Sequence, residues 1–90
     1  MQRRVFASGR VQGVSYRAST YHEAMRYPAL RGFVKNLPDG RVEAVFLGEV
    51  TDVLAMVQWC SHGPPAAHVK HLEVIDEAND PSLPTFEIRR

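Results

Sequence analysis

Pro38-Asp39-Gly40 lies between two runs of strand-forming residues, and no other stretch limits the fold of this chain as tightly. Proline pre-sets a turn-compatible φ, aspartate bonds to nearby backbone amides, and glycine accepts φ values closed to other residues. Arg31 to Leu37 precedes the turn and Arg41 to Leu47 follows it, with Val42, Ala44 and Phe46 alternating with Glu43 and Val45. A period of two is that of a strand, so the two runs are predicted to form an antiparallel hairpin.

Helical patterns flank the hairpin on both sides. Upstream, Arg3 to Ser8 alternates as a strand, with Val5 and Ala7 on one face and Arg4, Phe6 and Ser8 on the other. Gly9 and Gly13 bracket a loop. Val14, Ala18, Tyr21 and Met25 then follow at spacings of four, three and four, which predicts a helix from Ser15 to about Arg26 with those residues inward. Ser15 is its expected N-cap, and Pro28 should end it near Tyr27.

Downstream of the hairpin, Thr51 is expected to cap a second helix with Asp52 in its first turn and Val53, Met56, Val57 and Cys60 as its buried stripe. Gly63-Pro64-Pro65 stops it. Val69 to Ile75 reads as a strand with Leu72 and Val74 facing the core. Glu77 to Pro84 is a polar loop and Thr85 to Ile88 a short terminal strand. Strand, helix, strand, strand, helix, strand and a short extra strand imply an α+β sandwich, with two helices on one face of an antiparallel sheet.

Ninety residues suffice for one domain, expected to span 1–90, and two would each be too short for a core of their own. A hydrophobic share of 44% and a charged share of 23% are those of an ordinary soluble globular chain. Formal net charge is +1, with eleven basic and ten acidic residues spread along the sequence. No basic stripe suggests nucleic acid. The single cysteine, Cys60, has no partner for an internal disulfide, which suits a reducing compartment. Only Val5, Phe6 and Ala7 follow the basic start before Ser8, too few for a signal peptide, and no run reaches membrane-spanning length. A cytoplasmic monomer with neither nucleic-acid nor membrane partner is the expectation.

The stretch that carries chemistry is Gly9-Arg10-Val11-Gln12-Gly13-Val14-Ser15-Tyr16-Arg17, which joins a strand to a helix. Successive N–H groups in such a loop can converge on an anion, and the helix behind it adds unpaired N–H groups and the positive end of its dipole. Arg17 falls in the first turn, where helical side chains lean back toward the N-terminus, so its guanidinium can grip a tetrahedral oxyanion with two parallel hydrogen bonds. A tight turn followed by a solvated arginine accounts for the same residues. Val14 after Gly13 excludes the Gly-Lys-Ser/Thr ending of a nucleotide-binding P-loop.

Residues 9 to 17 resemble the acylphosphatase signature Gly-x-Val-Gln-Gly-Val-x-Tyr/Phe-Arg. A second element of that family is matched by Gly32-Phe33-Val34-Lys35-Asn36, with Val42-Glu43-Ala44 after the turn, and a weaker third by Gly63-Pro64-Pro65-Ala66. Ser15 falls at a variable position, and Phe33 stands where tryptophan is commoner. The resemblance implies a ferredoxin-like βαββαβ sandwich and hydrolysis of acyl phosphates without metal or other cofactor. By position, it makes Arg17 the phosphate-binding arginine, Asn36 the water-positioning residue, and Gln12, Gly13, Val14, Ser15 and Tyr16 the backbone cradle. Inorganic phosphate and sulfate should bind there as product-like ligands.

Other residues carry weaker signals. His68 and His71 have a spacing that puts them on opposite faces of a strand, and no cysteine completes a metal site. Cys60 and Trp59 read as packing residues. Two further readings remain open at this stage: a non-catalytic phosphate- or anion-binding module, and a nucleic-acid or protein-interaction module on the same scaffold.

Overall fold

The computed structural model describes residues 1–90. The chain runs β1 (Gln2–Arg10), α1 (Tyr16–Ala24), β2 (Arg31–Asn36), β3 (Val42–Leu47), α2 (Val50–Cys60), β4 (His68–Glu77) and β5 (Glu87–Arg89). The strands form one sheet in the order β4-β1-β3-β2-β5. The hairpin pairs as its turn demands, from Arg31 opposite Leu47 to Asn36 opposite Val42. β3 also pairs antiparallel with β1, and β1 with β4.

The fifth strand departs from the expected antiparallel sheet. β5 runs parallel to β2, so the sheet is mixed. The reason lies in the path of residues 78–86 from β4 at one edge to the opposite edge. Leu83 packs on Phe33 and Val45, the backbone N–H of Asp80 donates to Gln2 Oε1 at 2.7 Å, and Arg31 Nε donates to Leu83 O at 2.6 Å. Cover from this crossing explains why β3 is buried on both faces and not merely alternating. Glu43, buried there, is paired with Arg4 and Lys35.

The main core lies between the other face of the sheet and both helices. Val5, Ala7, Val34, Val42, Ala44 and Phe46 meet Val53, Met56 and Cys60 of α2 and Tyr16 and Ala24 of α1. Each valine, phenylalanine or methionine among them that is taken fully out of water contributes about 1.5–3 kcal/mol. Phe86 closes one end by stacking on Phe46, with ring centroids 5.4 Å apart.

The inward face of α1 is not the one predicted. Tyr16, Thr20 and Ala24 are buried, while Ala18, Tyr21 and Met25 are exposed. Val14 is buried too, but it precedes the helix and so does not set its phase. Thr20 counts as polar in a sequence, yet its Oγ1 donates to Tyr16 O at 2.7 Å, and the satisfied hydroxyl leaves its methyl group free to pack. Ser15 stands at the N-cap position but makes no side-chain cap bond, because its backbone is left-handed. α2 begins one residue before Thr51, with Glu49 at the N-cap. Its stripe is otherwise as expected: Val53, Met56 and Cys60 are buried and Val57 half-buried. In β4, Leu72 is half-buried, but Val74 is 41% exposed because an edge strand extends past the cover of the helices.

Candidate active site

The loop between β1 and α1 is held at both ends by apolar anchors, Val11 and Val14, both buried. Between them the Gln12 side chain leans away to the hairpin, where Nε2 donates to Leu37 O at 2.8 Å and to Arg41 O at 2.9 Å. Its carboxamide is thus committed to positioning the loop, leaving its backbone amide for a ligand.

Backbone handedness alternates through the loop. Gly13 has φ 75° and Ser15 φ 62°, and the residues beside and between them have no positive φ. Alternation of this kind turns successive N–H groups toward one side and makes an anion-binding concavity. A side chain in the left-handed region costs about 1–2 kcal/mol, so Ser15 is a strained residue in a potential ligand site. Sequence alone gives no sign of this, since serine has no preference for that conformation. In α1 the N–H of Ser19 donates to Ser15 O at 2.9 Å, and the amides of Tyr16, Arg17 and Ala18 ahead of it have no intrahelical acceptor.

Arg17 is half-buried in the first turn of α1, and its Nη1 donates to Arg89 O at 3.1 Å. That bond fixes the guanidinium beside the loop and leaves most of its five donors unused. Asn36, the last residue of β2, arrives from the other side. Gln12, Gly13, Ser15, Tyr16, Arg17 and Asn36 all line a single cleft of about 370 Å³. Val14 does not line it, because its side chain is packed in the core. The Tyr16 ring is also in the core, with its hydroxyl donating to Cys60 O at 2.6 Å.

Two lining residues have no signal in the sequence near Arg17. Ile88 and Arg90 reach the cleft from the far end of the chain, so Arg17 is not the sole cation there. Only the position of β5 beside β2 brings them in. Other candidates lie elsewhere. His68 and His71 are exposed on the edge strand, and no three His, Cys, Asp or Glu side chains are grouped to hold a metal ion. Burial pushes the Cys60 thiol up to about 12 and the Tyr16 hydroxyl above its ordinary value, so both stay protonated near neutrality and neither is a nucleophile. No helix is long and apolar enough to cross a membrane.

Residues 3–88 match the family model for acylphosphatase. The chain belongs to the acylphosphatase family. An acylphosphatase of Rubrobacter xylanophilus is 51% identical over 96% of this chain and 77% of its own length. One of Anaeromyxobacter dehalogenans is 52% identical, covering 96% and 91%. The crystal structure of acylphosphatase from Bacillus subtilis superposes with a TM-score of 0.90 at 32% identity, over 99% of this chain and 98% of that one. The ferredoxin-like fold implied by the sequence motifs is therefore that of its acylphosphatase relatives, with β5 as the C-terminal addition.

Proposed function

We propose that the cleft holds the phosphoryl group of an acyl phosphate between Arg17 and the backbone amides of Gln12, Gly13, Val14, Ser15 and Tyr16, while the Asn36 amide orients the attacking water. The observation that carries this reading is the meeting of Arg17 and Asn36, from separate elements, in one cleft beside a loop of alternating handedness.

The reaction is hydrolysis of a carboxyl-phosphate mixed anhydride. Water attacks phosphorus in line as the bond to the acyl oxygen breaks, giving a carboxylate and inorganic phosphate. The leaving carboxylate has a conjugate-acid pKa of about 4, so it departs without a general acid. A phosphoryl oxygen of the substrate takes the proton from water, so no protein base is needed. Catalysis then rests on positioning and on donors aimed at the developing charge. None of these steps calls on a metal or other cofactor.

Relatives of about half identity bearing the acylphosphatase name favour the enzyme over a non-catalytic anion-binding or interaction module. In this reading the protein acts as a monomer, in one domain spanning 1–90. The buried free thiol of Cys60 is compatible with a cytoplasmic setting.

Phosphate binding tests the anion site directly. Inorganic phosphate at ten times its dissociation constant should stabilise the native state by about 1.4 kcal/mol. For a domain of this size that raises Tm by roughly 5–10 °C. Sulfate should act likewise, but it also stabilises proteins by exclusion from their surfaces, so Arg17→Ala at matched ionic strength is the control. A saturating shift is expected in the wild type and only a shallow one in the variant. Equal shifts in both proteins would refute the site.

Asn36 should separate binding from turnover. In Asn36→Ala, kcat is expected to fall about 10²-fold or more, with affinity for inorganic phosphate, read by competition or calorimetry, close to wild type. Parallel loss of both would show that Asn36 binds phosphate and does not position water.

A further inference from the structure

Beyond the phosphoryl cleft, α1 borders a second, separate cleft that is mostly apolar. This cleft, of about 210 Å³, has Tyr21, Met25 and Phe86 among its lining residues. Both clefts share the same two walls, α1 and residues 85–90. Arg17 Nη1 bonds to Arg89 O at one end, Ala18 and Ile88 line the first cleft, and Tyr21 and Phe86 line the second. α1 and β5 thus run past each other in opposite directions, so the two clefts lie one after the other along α1.

The apolar parts of their walls are unusually open. Tyr21 is 37% exposed, Met25 65% and Ile88 40%. Ala18, Tyr21 and Met25 follow one another at three and four residues along one face of α1, the spacing that a buried face would show. No carboxylate, ammonium, imidazole or guanidinium lines the second cleft. From Ala18 to Met25 the helix rises roughly 10 Å, the reach of an acyl chain of about eight carbons. Contiguous exposed apolar surface is a candidate binding region.

We propose that the two clefts act as one groove, the second receiving the acyl end of the substrate, and that the enzyme prefers acyl phosphates with extended apolar acyl groups over small or charged ones. The inference rests on the phosphoryl site proposed above. Ala18 and Ile88 line the junction, while Tyr21 and Met25 act as specificity residues beyond it.

A series from acetyl to butanoyl, hexanoyl and octanoyl phosphate, kept below micelle formation, tests the groove. Basicity of the leaving carboxylate changes little along the series, so a slope in kcat/KM reports binding of the chain. For methylenes entering a half-open apolar groove, kcat/KM should rise about twofold or more per carbon. Tyr21→Gln and Met25→Gln, both on the exposed side of α1, should flatten that slope and leave acetyl phosphate turnover unchanged. Leu54→Gln, an exposed apolar residue of α2 outside the groove, should keep it. Equal kcat/KM for acetyl and octanoyl phosphate in the wild type would overturn the groove while leaving the phosphoryl site standing. So would a slope that survives both α1 substitutions. Absence of turnover on every member would instead overturn the phosphoryl site, and the groove with it.

Discussion

Arg17→Ala is expected to lower kcat/KM for an acyl phosphate by more than about a thousandfold and to leave the fold intact. Loss of one preorganised donor typically costs about 10²–10³ in rate, and a guanidinium can present two to the same phosphoryl group. Stability should hardly change, because the half-buried side chain contributes a single hydrogen bond within the protein, to Arg89 O. Such a bond is worth about 1 kcal/mol net. Arg17→Lys should also be badly impaired, since an ammonium keeps the charge but loses the planar fork. Arg90 lines the same cleft but is exposed at the end of the described chain, and no side-chain hydrogen bond holds it in place. It is therefore a poor substitute. The measurement is the absorbance change on hydrolysis of a synthetic aromatic acyl phosphate. Retention of more than about a tenth of wild-type activity would remove Arg17 from the site and make Arg90 the cation to test.

Gly32→Ala should be the most damaging single methyl group that can be added to the sheet. Gly32 has φ 135°, and a Cβ built there would lie 1.8 Å from Val45 O and 2.8 Å from Val45 C. The obstacle is the backbone of β3, which pairs with strands on both sides and cannot move without breaking ladder bonds. Nor can Gly32 withdraw, since its own N–H donates to Pro84 O at 2.9 Å. Steric displacement and an unfavourable φ together should cost about 4 kcal/mol or more. Against a typical total of about 5–15 kcal/mol, that is enough to shift the urea midpoint drastically or to prevent folding. Gly13→Ala is the matched comparison: its φ is 75°, but an added Cβ meets nothing within 4 Å. It should lose only about 1–2 kcal/mol. Equal losses at the two positions would show that backbone conformation, and not the contact with β3, accounts for the glycine at 32.

The element Gly32-Phe33-Val34-Lys35-Asn36 shows how motif and structure divide the explanation. Its likeness to a family pattern was readable from the residues, and so was the assignment it implied for Asn36. Why the first position is glycine was not readable, because the reason is a carbonyl on another strand. The same holds for Tyr16 of the loop motif. Its ring is a core residue bonded to Cys60 O, and only its backbone amide is left for an anion.

Short-range physics determined what the sequence could determine by itself. A three-residue turn set the β2–β3 hairpin, and the apolar spacing of α2 set its buried stripe. The turn and its flanking strands are contiguous in the chain, and in α2 the apolar face is also the one that meets the sheet, so local and tertiary preferences agree. The strand-loop-helix character of residues 9 to 17 belongs to the same class. Tertiary structure decided what depends on residues meeting from opposite ends of the chain. The crossing of residues 78–86 made β5 parallel, buried the second face of β3, and carried Ile88 and Arg90 to the cleft. α1 turned Thr20 inward and Tyr21 and Met25 outward, against its own apolar spacing. A hydrophobic period records which residues share a face, but not what that face will meet. On α1 the apolar face lines a cleft of its own next along the helix from the phosphoryl cleft, and only the packing of the helix on the sheet could place it there.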